Sequence, residues 1–266
     1  MKKILYICIL ATSNYKEYLK FFIQSLPNLK LKNFITKLII ISDKKQYDEY
    51  LYYPIGHFPY PFNSYLKPYI VKNALEYYNC SEDDYMMYVD ADTIIRKRDN
   101  FNYFENCLLT NKMVFSISPW AHQYNYGYEN NLCKNNYPEV YINNFQPEDF
   151  IQASFFAGNI KAYNNFCQLC FDLTLEFTKD WKNKRIPPMF DQSIITKIIY
   201  DNKELYIKDD FIVSTLDHYT IEDSNNIILK DMYLYNSFIT KDYPHIFLIQ
   251  KFNGEFKKNI RYVINF

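Results

Sequence analysis

Tyr85-Met86-Met87-Tyr88-Val89-Asp90-Ala91-Asp92 carries the strongest indication of how this chain folds. An uncharged apolar and aromatic run of strand length passes straight into two carboxylates separated by one small residue. Comparable runs lie at Ile4 to Leu10, Lys37 to Ile41 and Met113 to Ile117. Between the first two, Tyr15 to Ser25 places Tyr15, Tyr18, Leu19, Phe22 and Ile23 at helical spacing. Between the next pair, Lys67 to Tyr78 has Pro68 suited to a first turn and Tyr69, Ile70, Ala74 and Tyr77 along one face. Strand, helix, strand, helix, strand demands crossover connections, and so a mostly parallel sheet with helices on both faces. Ligands bind such sheets at the carboxyl ends of the strands, which is where Asp90 and Asp92 fall.

Two carboxylates at i and i+2 leaving a strand can converge on one hard divalent cation, whose other positions go to water and phosphate oxygens. A solvated strand end is the plain alternative for Asp-x-Asp by itself. Composition narrows the choice. The 266 residues hold only 4 Gly, and neither G-x-G-x-x-G nor G-x-x-x-x-G-K can be written anywhere, so a diphosphate would not be held by a glycine loop. With 30 basic and 30 acidic residues the formal charge is zero, which offers no general pull toward nucleic acid or an anionic membrane.

Met1-Lys2-Lys3 followed by Ile4 to Ala11 reads either as a short signal peptide or as a buried first strand; the strand is the expectation. No run approaches the ~18 apolar residues of a spanning helix. The six cysteines are dispersed. Cys167 and Cys170 have metal-ligand spacing, but they fall in a helical block from Lys161 to Thr178 whose apolar face takes at least one of them into the core. Reduced thiols and a cytoplasmic location follow as expectations. Pro54 to Lys67 reads as an ordered loop, Ala121 to Glu148 as a binding loop or lid, Ile186-Pro187-Pro188 as a turn, and Asp191 to Tyr200 as a helix.

With these motifs in order, the chain resembles the retaining nucleotide-sugar glycosyltransferases of the GT-A fold, and most closely glycosyltransferase family 6, the histo-blood-group A/B and α-1,3-galactosyltransferase family. The resemblance spans roughly residues 4 to 200 as short motifs. It implies one catalytic domain over 1–266. Residues 1–118 would form the nucleotide half, 119–250 a smaller acceptor and donor-sugar half, and 251–266 a basic tail.

Ala11-Thr12-Ser13-Asn14-Tyr15 resembles the family's first strand-to-helix turn, so Ala11, Thr12 and Tyr15 would line the uridine pocket; Tyr15 reads equally as a helix-face core residue. Ile41-Ser42-Asp43 resembles the end of the family's second strand. Lys67 stands where the family has an arginine near the donor, keeping the charge without the bidentate fork. Asp90-Ala91-Asp92 matches the metal motif and implies Mn or Mg. Asp149 to Gly158 is similar to the family's donor-sugar segment, with small Ala153 and Ser154 where donor choice is tuned; otherwise it reads as a buried strand with a turn at Gly158.

Asp191-Gln192-Ser193 falls where the family has Asp-Glu-Ser. Asp191 would bind sugar hydroxyls, and Gln192 replaces the catalytic carboxylate. An amide is a poor covalent nucleophile, although its carbonyl can face an oxocarbenium-like centre. Asp-Gln at this place also resembles family 8, which puts a late histidine on the metal; His218 or His245 would be the candidates. Lys251 and Lys257 in the tail would close over the diphosphate, or simply be solvated. The implied partners are a UDP-hexose donor and a glycan or glycolipid acceptor. A non-catalytic carbohydrate-binding protein and a metal-dependent nucleotidyltransferase or phosphatase are the rival readings.

Overall fold

Lys3–Leu10 forms β1, with Leu5 to Ile9 all buried, and everything else is arranged around it. The chain continues through α1 (Lys16–Ser25), β2 (Phe34–Ser42), β3 (Leu51–Pro54), α2 (Phe62–Tyr65), α3 (Lys67–Tyr77), β4 (Tyr85–Asp90), β5 (Ile94–Ile95) and α4 (Asn102–Leu108). It ends with β6 (Met113–Ile117), β7 (Ile151–Asn159), α5 (Ile160–Thr178), α6 (Asp191–Asp201), β8 (Tyr206–Asp209), β9 (Ile212–Ser214) and β10 (Leu248–Gln250). The structure is a computed structural model that describes residues 2–56, 58, 62–95, 100–117, 130, 133–146, 149–178, 191–209, 211–214 and 248–250.

The main sheet has seven strands in the order β3-β2-β1-β4-β7-β6-β8, and a three-stranded sheet runs β5-β10-β9. In the main sheet β3, β2, β1 and β4 are mutually parallel, as are β6 and β8. Only β7 is reversed, pairing antiparallel with β4 on one side and β6 on the other. The expected α/β architecture, a mostly parallel sheet with helices on both faces, is therefore present.

Burial on both faces explains why the strands read as unbroken apolar runs rather than alternating ones. Odd-numbered β1 residues Leu5, Ile7 and Ile9 pack with Leu19 and Phe22 of α1 and Phe104 and Leu108 of α4. Even-numbered Tyr6 and Cys8 join α3, α5 and α6 on the other face. There the rings of Tyr88 and Phe156 stack at 4.8 Å, Phe156 stacks on Tyr163 at 5.7 Å, and Phe115 meets Phe166 edge-on at 4.9 Å. A large part of the aromatic content is thus core.

Residues 3–10 are a central strand, as expected. Cys167 and Cys170 are both buried on α5, where burial pushes the Cys167 thiol up to about 12 and Cys170 well above the ordinary range. Such thiols stay protonated, which is the opposite of what a metal ligand needs. Among the described residues no helix is long and apolar enough to cross a membrane.

Three expectations are corrected. The buried stripe of α3 is Lys67, Ile70, Val71, Ala74 and Leu75, and Tyr69 and Tyr77 face outward at 42% and 61% exposure. The phase of the helix follows the aliphatic stripe, and the aromatics that seemed to mark its inner face lie beside it. Gly158 is not a turn. It lies inside β7 opposite Met86, and a Cβ there would meet Met113 Sδ at 2.6 Å and Lys112 O at 3.0 Å. It is glycine for space. Finally, part of the stretch expected as a loop or lid is tied down. Asn130 donates to Ile142 O at 2.8 Å and accepts from Ile142 N at 2.9 Å, while Cys133, Val140 and Ile142 are buried. Pro54 to Lys67 also contains the end of edge strand β3 and the short helix α2.

Candidate functional site

Parallel pairing puts the ends of three strands side by side, with Leu10 opposite both Ile41 and Asp90. Because β7 runs the other way, its first residues arrive at the same edge, Phe155 pairing with Val89. The amino termini of α3 and α6 reach this edge as well, through Lys67 and Asp191. Six elements therefore converge on one place.

Asp90 ends β4, and the Thr93 N–H donates to Asp90 O at 3.1 Å, closing a tight turn that carries Asp92. Asp92 Oδ1 is buried. Tyr88, two residues before Asp90 and so on the same face of the strand, donates its hydroxyl to Asp90 Oδ1 at 2.6 Å. Lys67 is buried between two carboxylates. Its Nζ lies 3.3 Å from Asp90 Oδ1 and 2.9 Å from Asp191 Oδ2, and donates to Ala153 O at 3.2 Å. The same ammonium lies 5.3 Å from the centroid of the Tyr88 ring.

Burial alone would pull the Lys67 ammonium down, but Asp191 and then Asp90 outweigh it and hold it above the ordinary lysine range. The Tyr88 phenol is pushed well above its usual value, first by burial and then by Asp90, with Asp191 and Asp92 adding to the effect. Among the described residues, three carboxylates act on this spot together with one ammonium, an arrangement that suits a cation.

The uridine-side residues lie next to this cluster. Ala11 and Thr12 are buried. The Ala11 N–H donates to Ile41 O at 2.9 Å, and Ser42 Oγ donates to Ala11 O at 2.6 Å. Ser13 takes a left-handed φ of 55°, its N–H donating to Asp43 Oδ1 at 3.4 Å while Lys16 holds the other Asp43 oxygen at 2.9 Å. Ser42 and Asp43 therefore shape the loop after β1. Tyr15 is 52% exposed, so it is not the core residue that its helical spacing allowed. Its phenol is raised by partial desolvation and then by the charges of Asp92 and Asp90.

At the start of β7, Ala153 and Ser154 are buried, and Ser154 Oγ has no hydrogen-bond partner among the described residues. Gln192 Nε2 donates to Ile151 O at 3.4 Å, and Thr196 Oγ1 accepts from the Ile151 N–H at 3.2 Å, so α6 clasps the start of β7. Asp149 is occupied structurally, 2.9 Å from Lys208 Nζ and 3.6 Å from Lys203 Nζ. Lys251, Lys257, His218, His245, the Ile186 to Pro188 turn and residues 121–129 of the expected loop or lid lie outside the described residues.

Ala11, Thr12, Tyr15, Lys67, Asp90, Asp92, Ala153, Ser154, Asp191 and Gln192 thus gather at one sheet edge. The Tyr88 hydroxyl was missed from the sequence, although the two-residue period linking it to Asp90 was available. Among the described residues no group of three or more His, Cys, Asp or Glu is placed to hold a metal ion. What they offer is a pair of hard carboxylate oxygens, Asp90 and Asp92, on one turn. That donor set suits Mn or Mg with its remaining positions open to water and phosphate. No protein-family model matches the chain, and a search of curated proteins finds no match.

Proposed function

We propose that the chain is a retaining, metal-dependent glycosyltransferase of the GT-A type that transfers a hexose from a UDP-sugar to a hydroxyl of a glycan or glycolipid acceptor. The observation that carries this reading is the Lys67 junction. One buried ammonium joins Asp90 of the Asp-x-Asp turn to Asp191 of the Asp-Gln helix start and to the backbone of Ala153. The three motifs that resemble family 6 separately thereby become parts of one site.

Asp90 and Asp92 would hold Mn or Mg, which when bound supplies Lewis-acid neutralisation of a departing diphosphate. Ala11, Thr12 and Tyr15 would receive the uridine, the exposed Tyr15 ring offering a face for stacking. Ala153 and Ser154 would let the hexose approach the β7 backbone, with Ser154 Oγ able to meet a sugar hydroxyl. Asp191 would orient the hexose from the helix start.

Gln192 carries no charge and is a poor covalent nucleophile, so a double displacement through this side chain is disfavoured by its chemistry. A front-face transfer fits better, in which the acceptor hydroxyl enters on the side that the diphosphate leaves. With its Nε2 held by Ile151 O, the amide is oriented by β7.

UDP binding and UDP release should be measured over a panel of UDP-sugars with and without Mn, for the parent chain and Asp92→Asn. Metal-dependent binding that Asp92→Asn weakens by at least about 100-fold is expected, since a two-carboxylate set has little left after losing one. Sugar binding that is indifferent to both metal and UDP would instead mark a lectin and overturn the proposal.

A further inference from the structure

We propose that Lys67 is a built-in counter-cation that holds Asp90 and Asp191 in place before a divalent cation arrives, and that it sets how tightly the cation is then bound. This rests on the metal-dependent reading above and adds to it a control of cation affinity by a residue that does not itself touch the metal.

The argument begins with burial. Lys67 is 7% exposed at the start of α3, and a buried ammonium persists only with strong compensation. It has three partners from three different elements, Asp90 Oδ1 at 3.3 Å, Asp191 Oδ2 at 2.9 Å and Ala153 O at 3.2 Å. Its charge offsets the repulsion between the Asp90 and Asp191 carboxylates, both of which it contacts. Lys67 therefore makes the site's geometry possible before any cation is present.

The same contacts carry a cost for cation binding. Asp90 Oδ1 already receives the Tyr88 hydroxyl at 2.6 Å as well as the ammonium, and both withdraw electron density from a carboxylate needed as a ligand. The ammonium also repels any cation placed on that carboxylate. A cation at Asp90 and Asp92 must share Asp90 with Lys67, so its affinity is set below what two free carboxylates would give. Weak holding of the metal by the protein alone would tie its retention to a ligand that brings its own oxygens, such as a diphosphate, and favour its departure with that ligand. Lys67 is in this sense a positioning residue.

The test is titration of Mn into the full chain without nucleotide, by calorimetry, together with thermal unfolding with and without Mn. Lys67→Met should bind Mn about tenfold or more tighter than the parent. It should melt at a lower temperature without metal and gain more from Mn than the parent does. Lys67→Arg restores the charge and should return the affinity to within about threefold of the parent's. A purely structural lysine would leave the Mn affinity of a folded Lys67→Met unchanged or weaker, and that result overturns the inference while leaving the metal reading intact. If Lys67→Met does not fold, Asp191→Asn decides the matter. It leaves the ammonium Asp90 and the Ala153 carbonyl as its remaining partners of the three and should weaken Mn binding several-fold, so unchanged or tighter binding overturns the inference. Absence of Mn binding to both the parent and Lys67→Met, or equal binding by Asp92→Asn, removes the metal reading and this inference with it.

Discussion

Gly158→Ala puts a single methyl group into the tightest place that the structure shows at a glycine. The new Cβ would stand 2.6 Å from Met113 Sδ, 3.0 Å from Lys112 O and 3.1 Å from Met113 Cα. The sulfur ends a flexible side chain, but Met113 is fully buried and has little room to turn away. The other two atoms are backbone of Lys112 and Met113 at the start of β6, which can yield only if β6 and β7 separate by a few tenths of an ångström. Overpacking of this kind costs about 1–3 kcal/mol, offset by the ~0.4–1 kcal/mol that alanine gains over glycine by restricting the unfolded chain. The net is a loss of about 1–2 kcal/mol, or ~2–8 °C in Tm for a chain of this size. Gly56 supplies the control, since a Cβ there meets nothing within 4 Å. Gly56→Ala should be neutral or slightly stabilising. Chemical denaturation of the two variants beside the parent chain checks both. If Gly158→Ala proves as stable as Gly56→Ala, the close approach of β6 to β7 is refuted, and with it the account of why glycine stands there.

Tyr88→Phe removes the hydroxyl that donates to Asp90 Oδ1 at 2.6 Å, a bond to a carboxylate, and should cost about 1.5–3 kcal/mol in the metal-free protein, read as a shift in the urea midpoint. Mn should recover part of that loss, because a cation on Asp90 replaces the lost partner. The Asp149 carboxyl is raised by burial but lowered further by Lys208 and a backbone N–H, so it ends below the ordinary carboxylate range. A folded-state pKa depressed in this way gives stability that is present above the unfolded value of about 3.9. That stability is lost as pH falls through the folded one. Asp149→Asn should therefore be less stable than the parent at pH 7, and the difference should narrow below about pH 4 in acid-unfolding curves.

Much of the sheet could be read locally. Tyr85 to Val89 and Met113 to Ile117 are strands within a residue of their expected ends, and Lys67 to Tyr78 and Asp191 to Tyr200 are helices within a residue of theirs. Runs that are apolar at every position leave few options other than strands covered on both faces. Short elements escaped. β3 and α4 have too few residues to show a period, and among the described residues β5 pairs only with β10, more than a hundred residues away. The stripe of α3 was misjudged because Tyr69 and Tyr77 are apolar enough to count toward the core and polar enough to lie at its rim.

The candidate site divides in the same way. Asp90, Asp92, Asp191 and Gln192 are visible as motifs because each stands at the end of an element that its neighbours define. That they meet is a property of the fold alone. β7 enters between β4 and β6 against the direction of both, and this reversal brings Ala153 and Ser154 to the carboxylate edge instead of the opposite one. A strand's direction depends on partners far away in the chain, and no local pattern records it. The longer strands and helices, and the points where the carboxylates leave them, were legible in the local pattern, because burial and turn chemistry act over a few residues. That one lysine is shared between two of those carboxylates could be seen only once the chain was folded. Sharing depends on the distance between two elements, and that distance is set by the packing of the whole sheet.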